Sequence, residues 1–265
     1  MWINGVSTHL LPAGDRSAQF GDGSFTTAHI SQGKVKLLSA HLDRLKVATE
    51  RLMITGVDWS LLEAEMLHAA SLCDEAVLKV VVTRGAGGRG YSPQGCDSPT
   101  RIISTSAYPA HYHAWREQGV KLALSPVALS QNPLLAGIKH LNRLEQVMVR
   151  LHLDQTDAQE ALVVDTAGML VECCAANLFW RKGESVFTPD LSLSGVSGVM
   201  RNHIIALLEQ SGRFSVSVVA EPPQTLSDAD EVIICNALMP FMPVRQVEDW
   251  HFTSSTLNDF LHQVC

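Results

Sequence analysis

Several short stretches of this 265-residue chain carry side chains suited to chemistry. In LVECCAANLFW (170–180) a carboxylate, Glu172, sits beside Cys173, Cys174 and Asn177 in an otherwise apolar, strand-like run. A charge in such a setting is costly unless paired, so Glu172 requires a cationic or protonated partner. The adjacent cysteines would point to opposite faces of a strand, and a disulfide between them would be strained. They could ligate a metal together with His111 and His113, but no metal-ligand spacing supports this and no metal is expected.

AGIKHLNRLEQ places Lys139 next to Gly137 and Ile138, just ahead of an amphipathic helix. A lysine near a helix start opposes the macrodipole. It is either a solvated surface residue or an amine whose pKa desolvation lowers, which is what Schiff-base chemistry requires. GAGGRG (85–90) fits G-x-G-x-x-G after a predicted strand, yet the YSPQGCDSP that follows cannot open a helix for a pyrophosphate. Two readings stay open: a flexible loop, or a mobile lid carrying Arg84, Arg89 and Tyr91 over an anionic substrate. GVSGVMR (195–201) sets glycines before a helix, so amides at the helix start could cradle a phosphate, or Ser197 could simply cap it. Arg44, in HLDRL, lies one position off its helix's apolar stripe and reads as a solvated residue or as a phosphate anchor.

The elements that must position these groups follow from periodicity. Met1 to Asn4 reads as a strand turning at Gly5, and GDGSFTTAHISQGKVKLL as a hairpin turning at Gly33. HLDRLKVATERLMITG, with apolar residues at 42, 45, 52 and 53, predicts an amphipathic helix stopped by Gly56, and a second helix runs from Trp59 to Ser71. AVLKVVVTR and RIISTSAYP predict strands, YPAHYHAW (108–115) a linker, and KLALSPVAL another strand. HLNRLEQVMVRLHLDQT predicts a helix with Leu141, Leu144, Val147, Met148 and Leu151 on one face. EALVVDTAG and MLVECCAANLFW form a strand pair joined at 165–168, SGVMRNHIIALLEQSG is a helix ended by Gly212, and EVIICNALMPFMPVRQV holds two strands around a turn. Such alternation, with several hairpins, predicts two α/β domains with mixed sheets.

Composition narrows the function. A chain 46% hydrophobic can bury a normal core, and a net charge of −7 with a pI near 5.8 argues against nucleic acid or an anionic membrane as partner. MWINGVSTHLLPAGDRSAQF shows no basic segment followed by a long apolar stretch, so no secretory leader is expected; no run approaches eighteen apolar residues, and the six cysteines are too sparse for a disulfide framework. The expectation is a cytoplasmic protein acting on a small molecule.

In order and spacing, HLDRL, IKHLNRL, the strand pair leading into ECCAANLF, GVSGVMR and EVIICNALMP resemble the pyridoxal-phosphate enzymes of fold type IV over nearly the whole chain. The family contains branched-chain and D-amino-acid aminotransferases as well as lyases. The resemblance implies an α/β (α+β) fold with mixed sheets: a small N-terminal domain (1–107), an interdomain linker (108–115) and a larger C-terminal pseudo-barrel domain (116–265) carrying the Schiff-base lysine. It also implies pyridoxal 5′-phosphate as cofactor and a homodimer. TRGAGGRGYS, AYPAHY and KHLNRLEQ are most similar to the family's lyase branch, which converts 4-amino-4-deoxychorismate to p-aminobenzoate and pyruvate in folate biosynthesis by cleaving a carbon–oxygen bond. Arg143 stands where the aminotransferases usually place another residue, which counts against the alternative of a branched-chain or D-amino-acid aminotransferase. A noncatalytic small-molecule binding protein is the more distant alternative.

Carried onto this chain, the resemblance makes Lys139 the Schiff-base and proton-moving residue and sets Glu172 against the pyridine nitrogen. A carboxylate about 4 Å from a pyridinium gains about 4 kcal/mol at an effective dielectric near 20, equal to about three pKa units. Arg44, the amides of Val199 and Met200 and the Asn236–Ala237 turn would hold the phosphate, with Asn177 supporting the Glu172 strand. Relatives tend to have Gly-Thr at the 236–237 turn, so the missing hydroxyl leaves the Asn236 side chain or the backbone to serve. Arg89 and Arg84, then Arg143 and His111, would meet the substrate's carboxylates, and Tyr108 would pack on its ring or within the linker.

Overall fold

Alternation of small or β-branched residues builds the first sheet. The computed structural model describes residues 1–265, which form two compact units: Met1–Tyr108 with Ile138–Asn142, and Pro109–Gly137 with Arg143–Cys265.

The first unit runs β1 (Trp2–Ile3), β2 (Val6–Ser7), α1 (Arg16–Phe20), β3 (Gly23–Ser31), β4 (Lys34–Val35), α2 (Leu38–Arg51), α3 (Trp59–Ser71), β5 (Glu75–Thr83) and β6 (Thr100–Ser106). Its sheet has the order β2-β1-β6-β5-β3-β4, and every pair is antiparallel rather than mixed. Along β3, Ser24, Thr26, Ala28 and Ile30 are buried while the residues between them are half-buried. The buried face meets Leu42 and Leu45 of α2 and Leu62 and Met66 of α3, together with Leu78 and Val80 of β5. Burying each such side chain contributes about 1.5–3 kcal/mol. Met53, expected on the α2 stripe, lies beyond the helix end at φ 53° and is exposed.

The second unit contains α4 (His111–Gln118), β7 (Val120–Leu124), α5 (Leu144–Leu153), β8 (Glu160–Val164), β9 (Leu170–Cys173), β10 (Asn177–Lys182), β11 (Ser185–Pro189), α6 (Val199–Ser211), β12 (Ser215–Val219), a 3-10 turn (Pro223–Asp228), β13 (Glu231–Cys235), β14 (Met242–Val247), β15 (Trp250–His251) and α7 (Thr256–Val264). The strand order is β12-β11-β10-β13-β14-β7-β8-β9, with β15 on β14. Parallel pairs (β11–β12, β14–β7, β7–β8) occur beside antiparallel ones, so this sheet is mixed. Its path curls: β9 ends the order, yet its Cys173 N–H reaches Ala176 O (2.7 Å), just before β10.

Four local expectations change. Of residues 108–115, read as linker, 111–115 belong to α4, which runs on to Gln118, and His111, Tyr112 and Trp115 pack on one another. KLALSPVAL ends as a strand at Leu124, before Pro126, which has no N–H to continue a ladder. MLVECCAANLFW is two strands parted by Cys174–Ala175–Ala176. On α5 it is Val149 and Leu153 that enter the core, while Leu144 (74%), Val147 (52%), Met148 (43%) and Leu151 (55%) are exposed. No helix is long and apolar enough to cross a membrane.

Candidate active site

Lys139 lies on a short extended segment laid along the start of β3. Phe25 N–H donates to Lys139 O (2.9 Å), Leu141 N–H to Gly23 O (3.0 Å), and Ser24 bridges His140. These bonds group Lys139, expected on the C-terminal domain, with the first unit. Its Nζ stands 4.9 Å from the centre of the Phe25 ring, which Lys79 Nζ also approaches, at 5.2 Å. Helix α5 starts only at Leu144, so Lys139 is not in its first turn.

Glu172 is buried in β9, opposite Val163 of β8. Its Oε2 accepts the Val196 N–H at 2.8 Å, and Asn177 Nδ2 donates to Val196 O at 2.9 Å, so both sides of the Val196 residue are gripped. The same loop is tied to the chain leading into Lys139: Gly137 N–H donates to Gly195 O (2.9 Å) and Ser197 N–H to Gly137 O (3.0 Å). Glycine is required here. A Cβ at Gly195 would strike the Val171 side chain and crowd Glu172 Oε2, and one at Gly198 would overlap Asn177 Oδ1. Helix α6 follows directly, with Gly198 as N-cap and no side-chain cap. Ser197, the alternative cap, instead bonds the Asn202 side chain, which leaves the amides of Val199 and Met200 at an uncapped positive helix end. Burial pushes the Arg143 guanidinium down, and the carboxylates of Glu172 and Glu145 oppose that shift, so a cation stands near Glu172 within the second unit.

The cysteines beside Glu172 are fillers. Cys173 is buried and its thiol is pushed well up by burial and by nearby carboxylates, and Cys174 is pushed up to about 12 for the same reasons, so neither is a thiolate. All six cysteines are free, and no group of three or more His, Cys, Asp or Glu could hold a metal ion.

The remaining candidates divide. Arg44 is half-buried on α2; burial and the Arg44 charge hold His41 down at about 3, a neutral ring bonded to Thr26 Oγ1 at 2.6 Å. At the Asn236 turn both ends of the side chain are committed: Nδ2 donates to Ala175 O (3.0 Å) and Oδ1 accepts from Leu238 and Met239 N–H (2.9 Å each). Its own N–H goes to Met239 O, leaving the Ala237 amide as the turn's open donor. Arg84 is also committed, with two bonds to Asp22 and others to the carbonyls of Leu52 and Met53. Arg89 is exposed on the glycine loop, the Tyr108 ring lies tilted against His29 at 4.6 Å, and His111 is exposed within the α4 aromatic group.

Sequence reasoning missed Glu160, although the rule that singled out Glu172 applies equally to a carboxylate in EALVV. Glu160 is buried, accepts from the Ala161 N–H (2.9 Å) and the Ala175 N–H (3.1 Å), and burial pushes it up to about 7 against the pull of those amides and of Arg150. It missed Arg201 as well, buried on α6 and bonded to Thr188 Oγ1 (3.1 Å) and Pro189 O (2.9 Å).

Comparison with known proteins identifies the family. The model of the family Amino-transferase class IV matches residues 23–247. An aminodeoxychorismate lyase of Vibrio harveyi is 43% identical over 93% of this chain and 90% of that protein. A putative branched-chain-amino-acid aminotransferase of Methanocaldococcus jannaschii is 30% identical over 88% and 81%. The crystal structure of 4-amino-4-deoxychorismate lyase from Pseudomonas aeruginosa superposes with a TM-score of 0.94 at 35% identity, covering 99% of this chain and 97% of that one.

Proposed function

From the premise that the chain belongs to the class IV aminotransferase family, we infer that it is a lyase converting 4-amino-4-deoxychorismate to p-aminobenzoate and pyruvate with pyridoxal 5′-phosphate. The observation that carries this is the 43% identity with the Vibrio lyase over 93% of the chain, alongside the superposition on the Pseudomonas lyase.

The residues present fit that cofactor. A helix start with no side-chain cap suits a phosphate, and a buried carboxylate suits a protonated ring nitrogen. In this reading Glu172 serves the ring nitrogen and the amides of Val199, Met200 and Ala237 the phosphate, while Asn236 shapes the turn. Lys139 is the covalent anchor and Arg44 a phosphate guanidinium. Bound cofactor supplies the electron sink for the bond broken at the amine-bearing carbon.

Lys139 then takes the proton from that ring carbon and returns one as the enolpyruvyl group leaves as pyruvate. Aromatisation of the product ring drives the step. Arg89 and Arg143 hold the substrate's carboxylates, with His111 and Tyr108 beside the ring; Arg84, committed to Asp22, braces the glycine loop from behind. No second amino-acid or keto-acid substrate is required.

The active form is a homodimer in this reading, supported by the apolar face that α5 leaves exposed at Leu144, Val147, Met148 and Leu151. Free cysteines throughout fit a reducing cytoplasm. The test of function is incubation of the holoenzyme with 4-amino-4-deoxychorismate alone. Equal p-aminobenzoate and pyruvate over many turnovers with no amino donor supports the lyase. Slow release, together with accumulation of the cofactor's amine form on adding an amino acid, would make it an aminotransferase instead.

A further inference from the structure

The glycine loop is fastened at both ends. Its glycines let it fold tightly on itself: a Cβ at Gly85 would strike Ser98 O, and one at Gly88 would strike Ser92 O and crowd Arg16 Nη1. One residue outside the loop holds both of its ends. Arg16, on the five-residue helix α1, donates its backbone N–H to Gly85 O (2.9 Å). Its guanidinium donates to Gly90 O (3.0 Å), Ser92 O (3.3 Å) and Tyr91 O (3.3 Å), so the far end of the loop hangs on three carbonyls.

Arg16 is itself fixed. It is only 4% exposed, its Nε donates to Asp22 Oδ2 at 2.8 Å, and its guanidinium covers the Phe20 ring at 4.8 Å. Phe20 in turn touches the Tyr91 ring at 5.5 Å. Asp22 is shared with Arg84, whose remaining bonds reach the last carbonyls beyond α2. Burial works against the Asp22 charge, and the two guanidiniums outweigh it, holding the carboxyl below its usual range. Asp15 completes the frame: buried, it accepts from Ser17, from Thr83 at 3.0 Å and from Thr100 at 2.8 Å, and Thr83 Oγ1 accepts the Gly85 N–H.

We propose that Arg16 is a positioning residue that presets the 85–92 loop, and with it Arg89, for the carboxylates of the substrate. The proposal rests on the reading of Arg89 as a substrate contact. A buried guanidinium serving a carboxylate and three carbonyls at once uses the planar fork of arginine, which lysine cannot reproduce. The ordering of the loop is thereby built into the free enzyme, so substrate binding does not have to supply it.

The test compares Arg16→Ala, Arg16→Lys, Arg89→Ala and the Arg16→Ala/Arg89→Ala double variant as cofactor-loaded enzymes. Both Arg16 variants should speed amide exchange at 86–94 and raise KM for 4-amino-4-deoxychorismate about ten-fold with kcat within about two-fold, cofactor affinity unchanged. Arg89→Ala should raise KM with native exchange, and the double variant should match Arg89→Ala, because both act through one contact. If the Arg16 variants fold poorly, Gly88→Ala, whose methyl would displace Ser92 O, should give the same pair of effects. Native exchange in the Arg16 variants, a KM effect additive to that of Arg89→Ala, or full rescue by lysine overturns the proposal. An unchanged KM in Arg89→Ala with accelerated exchange in Arg16→Ala would instead overturn the reading of Arg89 and leave the fastening of the loop standing.

Discussion

Glu160 makes stability depend on pH in a direction opposite to most carboxylates, and Glu160→Gln exposes it. Burial raises this carboxyl from an ordinary 4.5 to about 7 in the folded protein. At about 1.36 kcal/mol per unit, that shift corresponds to about 3 kcal/mol. Below the unfolded pKa both states hold the proton and nothing is lost. As pH rises past 4.5 the unfolded chain releases its proton first, so folding becomes progressively less favourable until pH passes about 7, where the full penalty stands. Glutamine never ionises, but it offers one acceptor oxygen where Glu160 serves two amides, those of Ala161 and Ala175. Leaving one buried donor unserved costs about 1–3 kcal/mol at every pH. Urea unfolding followed by tryptophan fluorescence should therefore find Glu160→Gln less stable than the parent at pH 5 and equal or more stable at pH 8. A difference between the two proteins that is the same at both pH values would refute the reasoning.

Three further outcomes follow from the site. Lys139→Ala should abolish lyase turnover, and borohydride should no longer fix the cofactor to the chain, as read by intact mass; a retained covalent adduct would reassign the anchor. Glu172→Gln should lower kcat by about 10² or more while cofactor affinity changes by less than about ten-fold, because the amide can still accept from Val196 N–H but carries no charge for the ring nitrogen. Gly198→Ala places a methyl on Asn177 Oδ1 at a φ of −66° that any residue tolerates, so its effect is purely steric. Displacing Asn177 from Val196 should weaken cofactor binding by about ten-fold, measured by absorbance titration, with lysine attachment intact.

Much of the fold was legible because its signals are local. β3 alternates in burial, β5 is an apolar, β-branched run, α3 opens on an Asp58 cap, and α6 stops at a left-handed Gly212. Glu172 was legible because a carboxylate in an apolar run demands a partner whatever the fold. What was not legible depends on residues far apart in sequence. That Arg84 answers Asp22 across 62 positions, or that Asn236 spends its side chain on Ala175, is invisible before the chain is folded. The α5 stripe illustrates a different gap: periodicity shows that Leu144, Val147 and Leu151 share a face but not whether this chain's own core covers it. The break at 174–176 had no composition signal, since two alanines and a cysteine suit a strand as well as a turn.

The fastening of the glycine loop has a consequence for how such enzymes diversify. Arg16 grips the segment through backbone carbonyls, so the side chain at Arg89 can change without loss of a bond to Arg16, whereas Gly85 and Gly88 admit no side chain. Meanwhile Gly137, Glu172, Asn177 and the 195–198 loop form a closed set of mutual bonds in which no member changes alone. Within the loop, Arg89 is thus a position where side-chain chemistry can change while the frame beneath keeps its bonds.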